Sequence, residues 1–165
     1  MDSDSLKSIQ EPVKNLYKDS PEQAVITLSA EGKIGEDVTC SVETGKALVE
    51  AGLHPATGGT GVHACSGDML LQSLVACAGV TLNAVATALD LNLVDAHIRA
   101  EGDLDFKGTL GVDREASVGF DKIRLKFELE GDMSDADKQT LMKLTERYCV
   151  VYQTLKSPPE VVVEF

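Results

Sequence analysis

Four cysteines and three histidines carry this chain's capacity for nucleophilic, redox or metal chemistry. Cys77 lies deep in CSGDMLLQSLVACAGVTLNAVATALDL (Cys65–Leu91), and Cys149 lies in ERYCVVYQTL. A thiol in such apolar surroundings is either a small hydrophobe packed in the core or a nucleophile, and a nucleophile needs something to stabilise its thiolate. His54, His63 and Cys65 flank the Gly-rich stretch HPATGGTGVHAC and, with Cys40, could supply four zinc ligands. Their spacing fits no standard ligand pair such as C-x-x-C, and the set requires Cys40 to turn away from the core. The GGTG run also lacks the Lys that a phosphate-cradling loop places after its last glycine, so it reads as a flexible connection whose histidines line the mouth of a pocket.

The elements that position these groups follow from periodicity. Leu70, Leu74, Cys77, Thr81, Val85 and Ala88 recur at helical spacing, and the opposite face is hardly more polar. A helix over about 66–90 is therefore the central core helix, with Cys65 or Ser66 as its cap and Asp68 in its first turn. Asp68, Gln72, Asn83 and Asp90 interrupt the run, which argues against a membrane span. Ile98, Ala100, Gly102, Leu104 and Phe106 alternate with charged residues, as do Ile123, Leu125, Phe127 and Leu129, giving two half-buried antiparallel strands. Ser134, with Asp137 three positions on, opens a second helix over about 134–155; its apolar stripe runs through Leu141, Leu144, Tyr148, Val151 and Leu155, with Cys149 on the shoulder.

Ahead of the core helix, Ala24–Ala30, a Gly-Lys-Ile-Gly turn and DVTCSVET suggest a meander in which Val38, Cys40 and Val42 face inward. Residues 1–23 form an arm or helix that starts near Pro12 or is broken there. VVVEF closes the chain as a strand. The fold class is α+β, with antiparallel strands and both long helices on one sheet face, as a single domain over 1–165.

Fifteen basic against 27 acidic residues give a net charge of -12, which excludes nucleic acid and anionic membrane as natural partners. Four cysteines without a cleavable apolar segment at the start fit a reducing compartment, the cytoplasm by default.

The Gly-rich loop, the acidic residue opening SGDMLLQSLVAC, and the late helix with ERYCVVYQTL together resemble the OsmC/Ohr family of small thiol proteins (osmotically inducible protein C, organic hydroperoxide resistance). The resemblance covers most of 24–165. It implies an OsmC-like fold, an intertwined homodimer with each active site between subunits, and reduction of organic hydroperoxides or hydrogen peroxide by a cysteine pair. Carried onto this chain, it makes Cys77 the attacking thiolate, Cys149 the thiol that condenses with it to a disulfide, and Asp68 the acidic residue that orders the site. An external thiol would reopen the disulfide; no cofactor or metal is implied. The chain departs from the family in having no Arg before Arg99, where the family's thiolate-stabilising arginine would lie. Lys33, Lys46, His54, His63 and Arg147 are the available cations. The alternative is a protein of the same fold without efficient peroxidase activity, which binds a small apolar or thiol-reactive ligand at the subunit interface.

Overall fold

The apolar run from Ser66 to Ala88 folds as one long helix, α2, flanked in sequence by strands. The computed structural model describes residues 3–35, 39–42, 52–62, 65–163 and 165. In chain order the elements are α1 (Ser3–Asp19), a 3-10 turn (Pro21–Ala24), β1 (Val25–Gly35), β2 (Thr39–Val42), a second 3-10 turn (Pro55–Thr57), α2, β3 (Asn92–Asp105), a short α3 (Phe106–Thr109), β4 (Phe120–Asp132), α4 (Asp135–Tyr148) and α5 (Val150–Lys156). By its internal contacts the chain divides into two compact units. One holds Met1–Ala30, Thr44–Leu71 and Ala100–Leu125, the other Glu31–Glu43, Gln72–Arg99 and Lys126–Phe165.

Helix α2 begins where the Cys65 carbonyl accepts the Met69 N–H at 3.0 Å, which makes Cys65 the capping residue. Leu71, Leu74, Val75, Ala78, Leu82 and Ala86 are buried, so the helix is long and apolar enough to cross a membrane yet carries the pattern of a core helix. It ends in a Schellman arrangement: Leu91 N–H bonds the Ala86 carbonyl at 3.0 Å, and Asp90 N–H bonds that of Thr87 at 3.1 Å. This places Asp90 at φ 53, a left-handed conformation that Asp tolerates better than most residues.

The four strands are hydrogen-bonded in the order β2-β1-β3-β4. The anticipated Gly-Lys-Ile-Gly turn is instead the end of β1, paired antiparallel with β2 in a register that matches Gly32 with Val42 and Gly35 with Thr39. Glycine can adopt extended backbone, and the ladder bonds to β2 outweigh its entropic cost. Strand β3 has the predicted alternation, with Ala96, Ile98, Ala100 and Leu104 buried. On β4, Ile123, Leu125, Phe127 and Leu129 are half-buried, as an edge strand allows. Gly131 lies over Asn92 whereas Arg124 reaches back to Glu101 and Asp103, so β3 and β4 run antiparallel. Arg124 forks onto both carboxylates, donating to Asp103 through two nitrogens and to Glu101 at 3.3 Å. These hydrogen bonds raise its pKa further above the ordinary range, Asp103 contributing most.

Three other expectations need correction. Helix α1 runs through Pro12 rather than starting there. The late helix is two helices: Ser134 and Asp137 close the predicted capping box on α4, but the helix stops at Tyr148 and restarts as α5 after Cys149. Its most buried line is Leu141, Thr145 and Cys149, whereas Tyr148 of the predicted stripe is 59% exposed. Finally, the terminal VVV forms no strand in the isolated chain; Val161, Val162 and Val163 are exposed.

Candidate functional site

Cys77 and Cys149 meet in the second unit. Cys77 projects from the middle of α2 and is half-buried, while Cys149 is buried, 1% exposed; both are free thiols. Cys149 has extended backbone (φ -71, ψ 107) between α4 and α5. Its N–H still closes α4 on the Thr145 carbonyl at 2.9 Å, and its carbonyl accepts the first bond of α5, from Gln153 N–H at 2.9 Å. The Cys149 pKa is pushed up to about 11, first by burial. The backbone N–H groups of Tyr152 and Val151 pull it down, while a hydrogen bond with the Cys77 side chain and that sulfur's charge push it up. Among the described residues no cation figures in these influences. Arg147, two residues away, lies 5.9 Å over the Tyr148 ring instead.

The first unit holds His54, Cys65 and Asp68. His54 caps the turn after it, its Nδ1 accepting the Ala56 N–H at 3.0 Å, and its ring stacks on Phe106 at 5.0 Å between centroids. Tyr17 ties α1 to the same turn by donating its hydroxyl to the Ala56 carbonyl at 2.5 Å. Burial, and secondarily the Asp105 carboxylate, raise the Tyr17 pKa. Burial likewise raises the Asp68 pKa, while the charge of His54 opposes the rise. On α2 itself, Asp68 and Cys77 are nine positions and so about two and a half turns apart, which sets them half a turn out of phase.

His54 and Cys65 line a largely apolar cavity of about 400 Å³ walled by Leu70, Leu104, Phe106 and Phe120. The Phe120 ring lies against β3 because residue 102 is glycine; a Cβ there would come within 2.5 Å of the ring. His54 thus lines a pocket as expected, while its Phe106 and Phe120 walls have no local sequence signal beyond Gly102, the glycine in the alternating run of β3. Among the described residues no three His, Cys, Asp or Glu side chains gather as a metal site. His63, Lys46 and the side chains of Cys40 and Lys33 lie outside the described residues.

A model of the OsmC-like protein family matches residues 59–164. Comparison with curated protein sequences found no match. Among solved structures, an OsmC-like hydroperoxide resistance protein from Jannaschia sp. CCS1 superposes with a TM-score of 0.60 at 14% identity, covering 84% of this chain and 91% of that one. An OsmC-like protein from Mycoplasma pneumoniae superposes with a TM-score of 0.57 at 16% identity, covering 81% of this chain and 86% of that one.

Proposed function

The chain belongs to the OsmC-like protein family, and from that premise we propose that it is a thiol-dependent peroxidase that reduces a hydroperoxide through Cys77 and Cys149. The observation that carries the reading is that α2 and the break between α4 and α5 bring the Cys77 and Cys149 side chains close enough for Cys77 to act on the Cys149 thiol. The Cys77 thiolate attacks the outer oxygen of ROOH; the O–O bond breaks, the alkoxide leaves and takes a proton from water as ROH, and Cys77 becomes a sulfenic acid. The Cys149 sulfur then attacks the Cys77 sulfur, an S–S bond forms, and the hydroxyl leaves with the thiol proton as water. Two equivalents of an external thiol return both residues to the reduced state. Cys149, pushed up to about 11, is a thiol at neutral pH, so the first attack falls to Cys77 and the second to Cys149. The role proposed for Asp68 is indirect, through the seating of the first turn of α2 beside His54. We place the protein in a reducing compartment, the cytoplasm, where its four cysteines would stay free between turnovers. Trapping thiols by alkylation before cell lysis and finding Cys65 oxidised would contradict that placement.

Stopped-flow consumption of cumene hydroperoxide, compared between the wild type and Cys77→Ser, tests the activity. Equal slow rates in the two would remove it.

The apolar cavity beside His54 and Cys65 favours a second reading, a binding protein for a small apolar or thiol-reactive molecule. Its volume is at the small end of ligand sites. A fluorescent apolar probe displaced by small apolar ligands in the wild type, but not in Gly102→Leu, is the expected result; identical binding by both proteins would exclude this cavity.

A further inference from the structure

The break at Cys149 has no proline or glycine to cause it, and its stability has to come from side chains. In an uninterrupted helix the N–H groups of Val150, Val151 and Tyr152 would bond the carbonyls of Glu146, Arg147 and Tyr148. The Cys149 side chain accepts no capping hydrogen bond at the start of α5, although the nearby N–H groups of Val151 and Tyr152 lower its pKa. Of the freed carbonyls, that of Glu146 accepts the side-chain amide of Gln153 at 2.7 Å. Tyr152 adds a second tie from α5, donating its hydroxyl to the Glu146 carboxylate at 3.2 Å. Residues on the first turn of α5 therefore hold the last turn of α4 open. The β-branched Val150 and Val151 lower the helical preference at the same place.

We propose that Gln153 is a positioning residue for Cys149: by occupying the Glu146 carbonyl it prevents Val150 N–H from reclaiming it, and so keeps Cys149 extended with its sulfur toward Cys77. The catalytic consequence rests on the peroxidase reading, whereas the conformational one stands independently of it. Nothing in the sequence spacing marks Gln153, because the bond it makes exists only once the helix has broken. Its amide is a donor replacing the lost Val150 donor, the usual remedy for an orphaned helix carbonyl.

The experiment compares wild type, Gln153→Met, which keeps length and loses the donor, and Gln153→Lys, which retains one. Two quantities are read: the Cα and Cβ chemical shifts of Cys149, which separate extended from helical backbone, and the rate of Cys77–Cys149 disulfide formation after addition of cumene hydroperoxide, followed by mass. Gln153→Met should move the Cys149 shifts toward helical values and slow disulfide formation at least about tenfold, while Gln153→Lys stays near wild type. Unchanged shifts in Gln153→Met overturn the proposal, as do changed shifts with an unchanged rate, or a Gln153→Lys protein that behaves like Gln153→Met. A wild type that forms no disulfide would sink the peroxidase reading instead, and the shift comparison would still decide whether Gln153 holds the break.

Discussion

The thiol of Cys149, at the one non-helical position between α4 and α5, lies within the influence of the Cys77 side chain. If this contact is a redox pair, the two cysteines fail differently when removed. Cys77→Ser should lower hydroperoxide consumption by about 100-fold or more, equivalent to ~2.7 kcal/mol of lost transition-state stabilisation. Cys149→Ser should keep the first oxidation and lose turnover, with Cys77 advancing to sulfinic acid because no thiol is left to trap the sulfenic acid. Single-turnover rates combined with intact mass separate the two; a Cys149→Ser enzyme with undiminished turnover would refute the division of labour.

Cys149 should titrate near pH 11 when thiolate absorbance is followed in a protein whose Cys40 and Cys65 are serine. Cys77→Ala should lower that midpoint while leaving it above the usual thiol range, because burial is the larger cause. The raised pKa favours the protonated form in the folded state. Its stabilising contribution is therefore complete below the unfolded thiol value, about 8.5, and is lost as pH rises toward 11. Urea midpoints that do not fall across that alkaline window would contradict this environment.

Asp68 presents the opposite balance at neutral pH. Burial raises its pKa, so folding favours the protonated carboxyl, and the ionised form present at pH 7 is a cost that His54 only partly offsets. Asp68→Asn should thus raise the melting temperature at pH 7, with the gain shrinking as pH falls through the folded pKa toward the unfolded value near 3.9. Peroxidase activity in the same variant reports whether seating the α2 start matters to Cys77; unchanged activity would confine Asp68 to a structural role.

Gly131 tests the strand arrangement. It has φ 149, and a Cβ on it would lie 2.1 Å from the Asn92 carbonyl oxygen, a backbone atom that cannot swing aside. Gly131→Ala should destabilise the fold by about 2–4 kcal/mol through strain at this contact. Chemical denaturation would measure it, and a change below about 0.5 kcal/mol would mean that β3 and β4 separate more easily than their close approach suggests.

What could be read from the residues was what local periodicity encodes. Helix α2 and the alternation of β3 were legible because burial on one element repeats at that element's own period. The Ser134–Asp137 capping box was legible because its partners are three positions apart. The break at Cys149 was not, since the apolar pattern continues across it and the Gln153–Glu146 bond that accompanies it is a tertiary event between two helices. The cavity was half legible: His54 and Cys65 flank one loop, but Phe106 and Phe120 arrive from the starts of α3 and β4 and reach it only through folding.

The terminal valines bear on assembly. A run of β-branched residues has high strand preference, and a strand requires a partner to satisfy its backbone. Val161, Val162 and Val163 are 80%, 71% and 80% exposed, and Phe165 is exposed beside them, an apolar segment that water solvates poorly. An intertwined homodimer of the kind the family resemblance implies would supply the missing partner: the tail of one copy would add to the sheet of the other and bury these side chains. Light scattering at micromolar concentration should therefore give a dimer for the wild type and a monomer for a variant lacking residues 160–165. Val162→Lys should weaken the dimer without unfolding α2, as monitored by far-UV circular dichroism. A monomeric wild type, or a truncated protein that stays dimeric, would show that the tail has another role.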